Sequence, residues 1–132
     1  MAASEPSRPK RLPDLAAAGA LFAPLADERF EVVAFAYLDA DQGLLGMRQA
    51  RSQSVDTLDL PIRDVVADVL RLDAQAVVMA HNHPSGDATP SAADRDATRM
   101  LAHALRPLGV RLIDHLVVTR TRVISFRELG LL

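Results

Sequence analysis

The sequence contains no cysteine and no tryptophan, one lysine, and four glutamates among its 132 residues. Without thiols there is no disulfide framework, no thiolate zinc or iron–sulfur site and no cysteine nucleophile. Any metal must therefore be held by histidine and carboxylate. No apolar run approaches the roughly 20 residues that cross a bilayer. The polar, proline-interrupted opening from Met1 to Asp14 lacks the apolar stretch of a secretory leader. These absences predict a cytoplasmic protein with no membrane partner. A concentrated basic surface is missing as well. Fifteen basic residues against seventeen acidic ones leave a net charge of −2, which argues against direct nucleic-acid binding as the main activity. With only Glu5, Glu28, Glu31 and Glu128 present, any role that demands a glutamate has few claimants.

What is present is alanine, 22 residues of it, within an apolar fraction of 49%, enough for the core of one domain. Residues 1–13 read as a disordered tail, too polar and too broken by proline to pack, with a short solvated basic cluster at Arg8, Lys10 and Arg11. Residues 14–132 read as a single domain without internal repeats. A short helix is expected over Leu15–Ala26, with Asp14 as its N-cap. Phe30–Leu38 is apolar on both faces and predicts a buried strand. Turn chemistry at Asp39–Gly43 makes Leu44–Arg51 its hairpin partner, and Ser54–Leu58 could form a further strand. Pro61 opens a helix whose face of Ile62, Val65, Val66, Val69 and Leu70 should pack on the sheet. Ala76–Ala80 has the length and composition of a central strand and should give way at His81 to a polar loop. Ser91–Leu105 predicts a second amphipathic helix, burying Ala93, Ala97, Met100, Leu101, Ala104 and Leu108. Val110–Val118 and Arg122–Phe126 complete the set, giving an α/β class with a mixed sheet covered by helices.

The chemistry concentrates in His81-Asn-His83-Pro-Ser-Gly-Asp-Ala-Thr-Pro-Ser91-Ala-Ala-Asp94. Residues i and i+2 of extended backbone project to one side, so one cation could take both imidazoles. A carboxylate follows at the head of a helix. Two histidines and one aspartate leave a fourth tetrahedral position open, the layout of a catalytic zinc site. The competing reading of Ser91 and Asp94 is a capping box, Ser-x-x-Asp, and a histidine at a strand end can be an ordinary loop residue. Two superficial matches lead nowhere, and a third pattern is missing. HNH nucleases distribute those three residues across a ββα unit, nucleobase deaminases need cysteine ligands, and the helical His-Glu-x-x-His pattern is absent.

His-x-His-x7-Ser-x2-Asp resembles the signature of the JAMM (MPN+/JAB) metalloproteases. The longer run from His81 to Asp94, with Thr98 beyond it, is similar to the RadC-like branch, as are Arg111–Val118 and Ser125–Gly130. The resemblance extends over about residues 28–131. It implies a JAB/MPN-like (cytidine-deaminase-like) mixed sheet flanked by helices, and zinc (Zn2+) held by His81, His83 and Asp94. It further implies Ser91 as hydrogen-bond donor to a developing oxyanion. Glu31, eight residues before Asp39, would be the general base that passes a proton to the leaving amine. Glu28 is the reserve for that role. The chain has no room for the helix–hairpin–helix region usual in RadC-like proteins, and Ser52–Leu58 stands where the family has a Gly-Thr segment. Asn82, Ser85 and Gly86 are assigned loop geometry only. Asp114 and His115 are read as a structural pair facing opposite sides of a strand, with support of the metal ligands as a further role. His103 is read as exposed and inert.

The expected function is a zinc-dependent metallohydrolase that cleaves a peptide or isopeptide amide in a peptide or protein substrate. Two alternatives stand beside it: a DNA-repair or mobile-element accessory protein acting through partners, and a catalytically silent MPN scaffold.

Overall fold

Alternation along two strands organises the protein. In this computed structural model, residues 15–51 and 60–132 are described. The expected basic tail, the Asp14 cap and the Ser54–Leu58 strand lie outside them. The elements are α1 (Leu15–Phe22), β1 (Val32–Leu38), β2 (Leu44–Arg51), α2 (Ile62–Leu72), β3 (Ala76–Asn82), α3 (Ala92–Leu105), β4 (Arg111–Val118) and β5 (Val123–Ser125). The strands form one sheet in the order β2-β1-β3-β4-β5. β1 runs antiparallel to both neighbours, β3 and β4 are parallel, and β5 returns antiparallel. A mixed sheet follows because β1 and β2 are joined by a hairpin turn, whereas β3 reaches β4 through the α3 crossover.

Every residue of β1 and β3 is buried, which helices on both faces require. Val32, Ala34, Ala36, Leu38, Ala76, Val78 and Ala80 meet Ala18, Phe22 and Leu25 on one face. On the other, Val33, Phe35, Tyr37, Val77 and Met79 meet Val65 and Val69 of α2 and Ala97, Leu101 and Leu105 of α3. The two faces thus divide the work. Small alanines line the α1 side, and bulky side chains fill the side where two helices pack.

Several expectations are corrected. The first helix stops at Phe22 and Ala23–Asp27 form a 3-10 turn, because Pro24 cannot donate the next α-helical hydrogen bond. Phe30 is 59% exposed and lies outside β1, with the Arg51 guanidinium 4.9 Å from its ring centroid. On α2, Leu70 is exposed and Asp68 is buried. On α3, Met100 is exposed and the buried stripe is Asp94, Ala97, Thr98, Leu101 and Leu105, while Leu108 lies beyond the helix in the 3-10 turn Arg106–Leu108 and is exposed as well. In both helices, polar side chains with specific partners displaced apolar ones from the inward face.

Asp68 shows why. Its carboxylate accepts from Tyr37 Oη at 2.7 Å, Arg48 Nε at 2.5 Å and Arg48 Nη2 at 3.0 Å, with Arg71 Nη2 at 3.4 Å. The hydrogen bond from Arg48 chiefly holds this carboxyl well below the usual carboxylate range, against the opposing effect of burial. A depressed folded value contributes stability above the unfolded value near ~4, and this is lost as pH falls through the folded one. Tyr37→Phe should therefore cost about 1 kcal/mol, and Asp68→Ala, which strands the buried Tyr37 hydroxyl, about 1–3 kcal/mol. Urea midpoints at neutral pH measure both. The Asp68→Ala deficit should shrink when the titration is repeated below pH ~4.

Candidate metal centre

The candidate site lies where β3 ends, β1 begins and α3 starts. His81 is the penultimate residue of β3 and fully buried. The strand therefore carries the first histidine and Asn82 within it, beyond the Ala80 boundary expected from sequence. His83 follows in extended backbone, its N–H donating to Val118 O at 3.0 Å. This continues the ladder to β4 and keeps both imidazoles on one side. Asn82, between them, projects the opposite way and is 1% exposed. Its Oδ1 accepts from Val32 N at 2.6 Å, and its Nδ2 donates to Phe30 O at 2.9 Å and Glu28 O at 3.2 Å. Those three backbone groups flank Glu31. One side chain on β3 thus fastens the segment that presents Glu31, which stands one residue before β1.

The loop after His83 turns back under its ring. Gly86, at φ 89°, supplies the left-handed residue, a conformation costly for residues with a Cβ. Its N–H bonds His83 O at 3.0 Å, and Asp87 O then lies 2.7 Å from His83 Nδ1. A carbonyl only accepts, so His83 carries a proton on Nδ1 and in its neutral form turns the lone pair of Nε2 into the site. At the head of α3 the capping box is complete: Asp94 N donates to Ser91 Oγ at 3.0 Å and Ser91 N to Asp94 Oδ2 at 2.8 Å. The cap and the ligand readings of Asp94 are compatible, since the capping bond is what aims this carboxylate.

Nε2 of His81 and Nε2 of His83 are 2.8 Å apart. Asp94 Oδ1 lies 3.0 Å from the first and Asp94 Oδ2 3.1 Å from the second. Glu31 Oε1 lies 3.7 Å from His81 Nε2. One donor atom from each of Glu31, His81, His83 and Asp94 falls within 4.8 Å of all the others. His81 turns its other nitrogen, Nδ1, toward His115 Nε2 at 2.6 Å.

Burial and charge pull the two carboxylates apart in acidity. Burial raises the Glu31 pKa, and the neighbouring Asp94 adds to the rise, while the two histidines oppose it. Burial also pushes Asp94 upward, but its hydrogen bonds with His81 and His83 outweigh that and hold it far below the usual carboxylate range. The hydrogen bond to Asp94 raises His83. Burial pushes His115 well down.

Of the residues singled out from sequence, Glu31, His81, His83 and Asp94 converge, and Ser91 adjoins them through its bonds to Asp94. The exposed Glu28 contributes its backbone carbonyl to Asn82. His103 is exposed. Asp114 accepts from Ser125 Oγ at 2.5 Å and Arg127 N at 3.1 Å, a structural role. Asn82, expected from sequence to have loop geometry only, is instead the last residue of β3 and a buried anchor; an amide between two histidines at a strand end is the signal for it.

A mixed sheet whose inner strand ends in His-x-His, facing an aspartate in the first turn of the following helix, defines a JAB-type domain. Residues 14–131 match the RadC-like JAB domain family, and the chain belongs to it. Its relatives include a UPF0758 protein of Polaromonas sp., 43% identical over 102 residues (77% of this chain and 46% of that protein). A UPF0758 protein of Shewanella baltica is 40% identical over 110 residues (83% and 49%). One of Bordetella petrii is 44% identical over 96 residues (73% and 43%). The chain spans about half the length of these curated relatives. The wider JAB/MPN family includes hydrolases. No helix among the described residues is long and apolar enough to cross a membrane.

Proposed function

We propose that the chain is a zinc-dependent hydrolase of the JAMM type that cleaves a peptide or isopeptide amide. The observation that carries this reading is the convergence of Glu31, His81, His83 and Asp94, with a donor atom of each within 4.8 Å of the rest. The donor set fits the metal. Two imidazole nitrogens and two carboxylates crowd one point, a grouping of lone pairs that a divalent cation relieves, and imidazole with carboxylate suits zinc.

His81, His83 and Asp94 would hold the ion. When bound, zinc lowers the pKa of a coordinated water from ~15.7 toward ~7 and polarises a carbonyl oxygen. Glu31, half-buried and shifted toward neutral pH, accepts the proton that water releases as its oxygen attacks the amide carbon. It then delivers that proton to the departing nitrogen as the C–N bond breaks. Ser91 Oγ already accepts from Asp94 N, so its own hydroxyl proton remains available to the oxyanion formed from the carbonyl oxygen. Asn82 keeps Glu31 in reach by clamping the backbone on either side of it.

Elemental analysis of the purified chain is the direct test, with about one zinc per chain expected. A chain that arrives without metal and takes up no zinc overturns the reading. A zinc-loaded chain that releases no new amine from a mixed panel of peptide and isopeptide substrates would retain the site and reject the hydrolase.

A further inference from the structure

We propose that His115 and Thr98 are positioning residues that fix the proton of His81 on Nδ1 and so keep its Nε2 open to a cation. The inference rests on the metal-binding part of the function proposed above and adds two residues outside the ligand set.

The argument is a count of protons along one buried chain. Thr98 Oγ1 donates to Asp94 O at 2.7 Å, the carbonyl one helical turn before it. That carbonyl can only accept, so the single hydroxyl proton of Thr98 is committed to it. Thr98 Oγ1 also lies 2.6 Å from His115 Nδ1. With its proton already placed, the hydroxyl must accept there, and His115 must carry a hydrogen on Nδ1. His115 Nε2 lies 2.6 Å from His81 Nδ1, and one of these two nitrogens supplies the hydrogen between them. If His115 supplied it, His115 would be a cation with 0% exposure, with no ion pair to a carboxylate among the described residues. The hydrogen therefore belongs to His81 Nδ1. In the neutral ring His81 Nε2 is then a lone pair, aimed at the same point as that of His83; a hydrogen on Nε2, donated to Asp94 Oδ1 3.0 Å away, belongs to the imidazolium form.

The chain runs from the backbone of one candidate ligand, Asp94, to the ring of another, His81. Thr98 is 2% exposed, and Phe126 stacks on His115 with ring centroids 4.3 Å apart and planes 25° from parallel. Neither ring can swing away without breaking packing. His83 obtains the same orientation from a carbonyl in its loop. His81, inside the sheet, has its strand backbone committed to neighbouring strands and is served by a second imidazole instead.

Removing the acceptor at Thr98 reverses the chain. His115 would move its hydrogen to Nε2, His81 Nδ1 would become the acceptor, and the proton of His81 would pass to Nε2, where it blocks ligation. Titration of the metal-free full chain with Co2+, followed by its visible absorption, tests this. Thr98→Val should weaken Co2+ binding by about 10–100-fold, the range for loss of a partner behind a metal-binding histidine. Thr98→Ser should restore it, and His115→Leu should weaken it in the same direction. Long-range 1H–15N correlation spectra of the metal-free wild type at alkaline pH should place hydrogen on Nδ1 of both His81 and His115. Thr98→Val with wild-type Co2+ affinity, or a wild-type His81 protonated on Nε2, overturns this inference and leaves the metal site standing. A wild type that takes up no Co2+ overturns both.

Discussion

His81→Ala is expected to remove stoichiometric zinc from the purified protein and to weaken its uptake by more than ~100-fold, beyond the loss caused by changing a partner that only supports a ligand. The imidazole is fully buried, and its Nε2 is within 3.0 Å of both His83 Nε2 and Asp94 Oδ1. Asp94→Ala should lose metal equally but also destabilise α3 by about 1 kcal/mol, because the same carboxylate closes the capping box. Asp94→Asn separates the two effects, since an amide oxygen can still accept from Ser91 N while the charge is gone. Metal content by elemental analysis and thermal midpoints of the metal-free forms distinguish these cases. Zinc retained at full occupancy in His81→Ala would refute the assignment. Zinc affinity should also fall on acidification, because protons compete for the ligands. The raised pKa of metal-free His83 starts that competition at a higher pH than an ordinary histidine would. The sign for fold stability is opposite: the His83–Asp94 contact helps the metal-free fold most below the ordinary histidine value near ~6.5, and that help fades as pH rises through the raised one.

Glu31→Gln is expected to keep zinc and to lower turnover by about 10²–10⁴-fold, the usual contribution of a positioned general base. The substitution preserves size and removes only the ability to accept a proton. As the base, Glu31 must be ionised to act, so the acid limb of the rate profile should report its protonation, and Glu31→Gln should erase that limb. Glu28→Gln should change little, because its side chain is exposed and lies outside the converging group. Rates of amine release measured on zinc-loaded proteins decide the matter. Full activity in Glu31→Gln, with loss in Glu28→Gln, would transfer the role.

Much of the fold was legible because β1, β2 and β3 announce themselves by composition: Val32–Leu38 and Ala76–Ala80 are apolar on both faces, and Asp39–Gly43 is turn chemistry. The helix faces were less legible. Apolar periodicity placed Leu70, Met100 and Leu108 inward, where the fold instead buries Asp68, Asp94 and Thr98. Periodicity assumes that the inward face is uniformly apolar. It fails where a polar residue has partners brought from distant segments, as Asp68 has in Tyr37 and Arg48. The candidate site was legible in His81, His83 and Asp94 because they are near in sequence. Glu31, fifty residues from His81, was reached only through a family likeness. Thr98, His115 and Asn82 give local cues too weak to assign, because their partners are carbonyls and rings supplied by tertiary structure.

Asn82 carries a consequence for folding fidelity. A strand displaced by one residue against its neighbours exchanges its two faces. Such a slip of β3 would drive both imidazoles into the greasy layer beneath α1 and turn the amide toward Asp94. With zinc bound as proposed, mispaired chains would be unable to capture it, so metal retention by a refolded preparation would report whether its sheet has zipped in the native frame.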